Sequence, residues 1–326
     1  MNSSPSLTRS FIAFFALLGT SGCLALPEPF DAWSVVMPRC DYVMPAGSRV
    51  EVYDEERIQT TLRPACREAL EEVLPLDESF DSAPAGTKDH VLEAFQVLAA
   101  YPLKLPAQNR ILGVAPGSIP ALHLCLLGAP NCPTGIQNPA APLPGGDYRK
   151  NVFNLVVNAF EEIRYDPSLA GDFAARNDFH LSVRVTERTL NVGPRFWSLE
   201  DSVGDLLRGT FGRAAILVHE AGHSQGMYHE YCSETGRFSC DPDLKGPNGL
   251  SIVYAQMLLT GSGHLKSSSG FPILSDLDLL SLGYLSCRIL KERVTHLPAP
   301  LEDLLEGTAC GDVSSQWTAA RLRLQR

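Results

Sequence analysis

The stretch VHEAGHSQGMYHEYC, residues 218–232, constrains the fold of this chain more than any other. His219 and His223 stand four residues apart. On an α-helix that spacing puts two side chains on one face, about one turn from each other. Two imidazoles so placed can each present a nitrogen to a single Zn²⁺ at about 2.0–2.1 Å. Glu220 projects from the next position, close enough to accept a proton from a water on that metal, whose pKa zinc lowers toward about 7. A catalytic zinc needs three protein ligands, and His229 follows in sequence. Gly226 can take a positive φ, end the helix and let the chain turn back toward that third histidine. The fold must therefore bury a helix up to this point, stop it sharply and return the chain over its end.

HEAGHSQGMYH, residues 219–229, matches H-E-x-x-H-x-x-G-x-x-H at every fixed position and so resembles the metzincin clan of zinc metallopeptidases. The resemblance implies His219, His223 and His229 as zinc ligands, Glu220 as general base and Gly226 as the turn glycine. It also implies an α+β, zincin-like fold: a mixed sheet, a long active-site helix and a helical C-terminal part. Substrate would lie extended along an edge strand, a form of β-augmentation. Roughly eleven residues carry the likeness; the rest of the chain matches only as a loose order of strands and helices. A third ligand of the gluzincin kind, a glutamate from a downstream helix, has no source in GLSIVYAQMLL, residues 249–259. Asp241, Asp243 and Asp276 stand as second choices to His229. The family's methionine turn has no clear counterpart. Met257 falls in a run that reads as helix, and Met227 is no better placed. Tyr228 and Tyr254 are candidate oxyanion donors against a default of packing. No G-x-S-x-G elbow and no phosphate-binding glycine loop is present.

The N-terminus reads as an export signal. Arg9 precedes an apolar run, residues 11–19, too short to span a bilayer as a stable anchor. TSGC, residues 20–23, resembles the lipobox of bacterial lipoproteins, with Thr20 where leucine is usual. The resemblance implies cleavage and acylation at Cys23; the alternative is ordinary cleavage after Ala25. The chain has nine cysteines, so a lipidated Cys23 leaves eight, an even number that favours disulfides in an exported protein. Pairing sequence neighbours gives Cys40–Cys66, Cys125–Cys132, Cys232–Cys240 and Cys287–Cys310. No C-x-x-C occurs, which argues against a redox pair or thiolate zinc knuckle.

The 326 residues carry a formal charge of −10, which argues against nucleic acid and anionic membrane surfaces as partners. The domain plan is a signal peptide over 1–22, a lipid-anchored tether over 23–50 and a zincin-like metallopeptidase domain over 51–326 with a helical N-terminal extension. Within it, helices are expected over 54–74, over 89–101 with Asp89 as cap, over 151–165, through a long buried run ending near Gly226, and over 249–259 and 275–294. Strands are expected at 110–115, 121–127 and 179–187, the last being FHLSVRVTE and a candidate for the substrate-binding sheet. Two functions fit these residues. One is an exported, lipid-anchored, monomeric zinc metalloendopeptidase of the bacterial envelope, acting on peptides and touching membrane only through its anchor. The other is a non-catalytic surface lipoprotein with a structural metal site, which would have no need of Glu220.

Overall fold

Residues 32–40, expected to belong to an extended tether, instead form a helix, α1 (Ala32–Cys40), whose Ala32, Trp33, Val36 and Cys40 are buried. The computed structural model describes residues 30–40, 62–104, 146–169, 175–181, 186–196, 210–232, 237–241 and 246–262, with residues 282, 283, 286, 287, 289, 293 and 294 near the C-terminus. The spacing of the α1 apolar residues makes one continuous helical stripe. Trp33 Nε1–H donates to Ala99 O at 3.2 Å, and Asp31 at the start of α1 accepts from Lys150 Nζ at 2.6 Å. A disulfide joins Cys40 to Cys66 in the next helix. Prolines at 27, 29 and 38 hid this helix from a reading by composition.

Helix α2 (Pro64–Val73) covers the later part of the helix expected over 54–74; residues 54–61 lie outside the described residues. Pro64 stands at its first turn, where the ring's fixed φ suits a start and no N–H is missed. After a short 3₁₀ turn (Glu78–Ser82), capped by Asp77, comes α3 (Thr87–Ala100). It starts two residues before the expected cap. Gly86 holds the N-cap position, and Asp89 sits inside the first turn, where its carboxylate pairs with Arg67 of α2. Every residue of α3 from Val91 to Ala100 is buried.

The expected helix over 151–165 is two elements. Helix α4 (Arg149–Val157) ends at Asn158, and β1 (Glu162–Tyr165) follows. The residues of β1 pair parallel with β3 (Thr186–Val192), and Ile163 takes the register opposite Leu190, both fully buried. Tertiary pairing thus overrode a helical pattern that β-branched residues had already weakened. The expected strand over 179–187 likewise divides between β2 (Ala175–Leu181) and β3, which run antiparallel with Leu181 opposite Thr186. Residues 182–185 lie outside the described residues, and alternation alone does not record that the segments on either side pair with each other. The sheet is mixed, in the order β1-β3-β2.

Helix α5 (Thr210–Ser224) carries the first two histidines and lies beside α3, β2 and α6 (Pro247–Ser262). Pro247 and Leu250 lie against Gly222, whereas Ser251 Oγ reaches Ala215 O at 3.4 Å, so α5 and α6 run in opposite directions. Gly222 makes this approach possible. A Cβ there would come within 3.1 Å of Met227 Sδ and 3.3 Å of a Leu250 methyl. Between α5 and α3 lies a buried ion pair, Arg213 Nη2 to Glu93 Oε2 at 3.3 Å, and Arg213 also donates to Thr210 Oγ1 at 3.0 Å. Burial lowers the Arg213 pKa to about 10 against the opposing pull of Glu93. Strands β4 (Glu230–Cys232) and β5 (Arg237–Cys240) make an antiparallel pair closed by the Cys232–Cys240 disulfide. Cys287 is also disulfide-bonded. Of the expected helix over 275–294, residues 282, 283, 286, 287, 289 and 293 are described and helical, whereas Val294 is described as a β-bridge to Asp241. The expected strands at 110–115 and 121–127, and Cys23, Cys125, Cys132 and Cys310, lie outside the described residues.

Glu93→Ala should destabilise the protein by about 3–5 kcal/mol, because it leaves the Arg213 guanidinium buried without its carboxylate. A urea midpoint within error of wild type would show that the α3–α5 contact does not depend on this pair.

Candidate metal centre

The end of α5 sets the site. Gly226 has φ +79°, and the chain closes the helix with Gly226 N–H donating to His223 O at 2.9 Å and Met227 N–H donating to Gly222 O at 3.2 Å. These two bonds form a Schellman motif, which satisfies the last carbonyls and reverses the chain. Met227 is buried against Gly222 as a result. Its carbonyl turns toward the helix and accepts a hydrogen bond from His223 Nδ1 at 2.9 Å. With the proton on Nδ1, His223 presents a bare Nε2.

His229, at the entry to β4, is returned over the helix end. Its Nδ1 lies 2.8 Å from Asp241 Oδ1, so Nδ1–H donates to the carboxylate and Nε2 is the nitrogen turned away from it. That Nε2 lies 3.1 Å from His219 Nε2. The ring centroids of the three histidines are 4.9–5.2 Å apart, and one ligand-capable atom from each lies within 4.8 Å of the others. Two nitrogens on a tetrahedral zinc at about 2.0–2.1 Å would be about 3.3 Å apart. The donor set therefore suits a metal that favours neutral imidazole, and the triad could hold one ion. His219, His223 and His229 are half-buried residues, while Glu220, the residue after His219, is 6% exposed.

Burial pushes the His219 pKa well below its usual 6.5, with further contributions from His223, His229 and Arg293. Burial also lowers that of His223. Both groups are thus held neutral, the form that ligates. Their half-burial is compatible with this, because the surrounding protein still excludes most of the water that would solvate a charge.

The sequence-named residues fare differently. His219, Glu220, His223, Gly226 and His229 come together on one short stretch of backbone. Asp241 is close but faces the far nitrogen of His229 rather than the converging nitrogens. Asp243 and Asp276 lie outside the described residues. Met257 is fully buried within α6, where its carbonyl accepts from Lys104 N at 3.1 Å, so it is a core residue on a helix and not on a turn. Tyr254 is fully buried in the same helix, and burial raises its phenol pKa; Tyr228 is 67% exposed. Arg293, whose charge acts on His219, was missed by sequence reasoning, since no local pattern links a residue 74 positions downstream to the motif. Of the candidate bridges, Cys40–Cys66 and Cys232–Cys240 are formed. Comparison of the chain with family models, with curated proteins and with solved structures gives no match.

Two outcomes follow from this geometry. An unfolded histidine takes up a proton near pH 6.5, whereas folded His219 and His223 resist it. The unfolded state then binds more protons as pH falls below 6.5, so metal-free protein should lose stability from there downward. Urea midpoints between pH 8 and pH 5 should show this fall, and His219→Asn should flatten it; an unchanged slope in that variant would remove the assigned cause. Replacing Cys232 and Cys240 together by Ser should weaken Zn²⁺ retention more than it lowers the melting temperature, since so short a loop contributes less than the roughly 3 kcal/mol of a 15-residue one. Equal Zn²⁺ affinity with a lowered melting temperature would show that the bridge serves the fold alone.

Proposed function

We propose that this chain is an exported zinc-dependent metallopeptidase of metzincin type, with an α+β zincin-like fold. The carrying observation is the convergence of His219, His223 and His229, with Glu220 next in sequence to the first, at the end of a buried helix that stops at Gly226. His219, His223 and His229 would hold the ion through their Nε2 atoms. When bound, Zn²⁺ supplies Lewis acidity to a peptide carbonyl and to water. The Glu220 carboxylate takes the proton from the attacking water and delivers it to the leaving amine. Glu220 is 6% exposed, so its carboxylate lies largely out of bulk water, where a proton transfer within the site competes better with exchange to solvent. The intermediate exposure of the three histidines favours a site that substrate can approach over a sealed structural metal centre.

Two disulfides among the described residues accord with an oxidising compartment, and no described helix is long and apolar enough to cross a membrane. We take the envelope of a bacterium as the location, with attachment through an acylated Cys23. Peptide or protein chains are the substrates and the protein works as a monomer.

The test is zinc content together with digestion of a mixed peptide library. Glu220→Ala should keep its zinc and its fold while losing about a hundred- to ten-thousand-fold in turnover. Equal turnover by wild type and variant would place the activity elsewhere. Stoichiometric zinc with no hydrolysis by wild type would favour the structural metal site.

A further inference from the structure

His229 lies beyond the helix that carries the other two histidines, so its ring must be fixed from elsewhere. Asp241 is fully buried next to it. Its Oδ1 accepts the His229 Nδ1–H at 2.8 Å and an Asn248 Nδ2–H at 3.1 Å, and its Oδ2 accepts Gly249 N–H at 3.1 Å. Asn248 and Gly249 belong to the first turn of α6, where unpaired N–H groups favour a carboxylate. The Asp241 backbone is held as well: its N–H donates to Arg293 O at 2.7 Å, and the residue bridges to Val294. The carboxylate has no room to drift. A Cβ on Gly246 would lie 2.1 Å from Asp241 Cγ, so only glycine fits opposite it.

We propose that Asp241 is the positioning residue of the third ligand, locking His229 as the Nδ1–H tautomer with Nε2 bare and tying the ring to the N-terminus of α6. A cap for α6 alone would need the contacts to Asn248 and Gly249. The direction given to His229 is additional, and it has the arrangement by which a carboxylate orients a metal-binding imidazole and raises its basicity. The inference rests on the reading of the triad as a metal site. It adds that the site's third arm answers to α6 and not to α5.

Asp241→Ala also strips α6 of its acceptor; Gly246→Ala is the second variant, keeping Asp241, all three ligands and every donor while displacing the carboxylate, and thermal unfolding reads the cost to α6 in both. Zn²⁺ affinity of the full chain would be measured by chelator competition, with thermal unfolding of the metal-free forms alongside. The His229 tautomer would be read from ¹⁵N-histidine NMR of metal-free protein. Both variants should bind Zn²⁺ about 10–100-fold more weakly than wild type while still folded. Asp241→Asn, which keeps one oxygen acceptor, should fall between them and wild type. His229 should be Nδ1-protonated in wild type and a mixture of tautomers in Asp241→Ala. Wild-type affinity in Asp241→Ala and Gly246→Ala, or an unchanged tautomer, would overturn the positioning role while leaving the metal reading intact. An absence of Zn²⁺ binding by wild type would overturn both.

Discussion

Three imidazoles whose ring nitrogens converge do not hold one another in place. A single N–H can bridge one pair, as between His219 and His229 at 3.1 Å, but every further proton adds charge to a region the protein has largely dried. The arrangement therefore has to be imposed by the surrounding fold, and much of the described structure can be understood as that scaffold. Two of the three rings are fixed by one buried helix. The Schellman turn at Gly226 supplies the carbonyl that orients His223, and the returning chain brings His229 into range. One backbone reversal thus aims the second ligand and delivers the third.

The burial of α5 has its own requirements. A helix packed on most sides leaves little freedom for adjustment, so its neighbours must fit closely. Gly222, between the two helical histidines, admits Met227 and, from α6, Leu250 at distances a Cβ would crowd. On the α3 side, Arg213 and Glu93 form a buried pair that fixes the register of the two helices at a cost in desolvation. Tyr101 and Phe211 meet edge to face with centroids 5.2 Å apart and fill the space where α5 begins. These contacts leave His219 and His223 on the less covered stripe of α5, where both residues are half-buried.

The local part of the site was legible in the sequence because it depends on helix period and on a single glycine. His219 with His223, the stop near Gly226 and the neighbour pairing of Cys232 with Cys240 all follow from spacing within two dozen residues. The parts that were misread depend on long-range pairing. EIRY at 162–165 became strand because β3 offers it a partner. FHLSVRVTE was divided because β2 and β3 pair with each other, and the alternation of a strand does not record where the chain reverses. Residues 32–40 became helix because α3 and Cys66 give the stripe of Trp33, Val36 and Cys40 something to cover. Asp241 was weighed as a ligand because its residue type suits one. Its actual direction depends on α6, on Gly246 and on the backbone at 293, and none of those is visible from the motif.

The division of the triad between two supports has a mechanical consequence. Helix α5 is buried along nearly its whole length and should open only with the global unfolding of the core. The β4–β5 pair has two strands, of three and four residues, and a bulge between Glu230 and Tyr231. Two short strands of this kind have little stability alone. The Cys232–Cys240 bridge and the Asp241 carboxylate anchor the pair, the first by limiting how far the strands can part and the second by fixing the ring that follows the turn. Local fluctuation at this site should then concentrate in His229, with His219 and His223 keeping their places on the helix. A site built in this way can loosen by one arm at a free-energy cost well below that of unfolding, so its stability toward ligand loss and the stability of its fold are set by different residues.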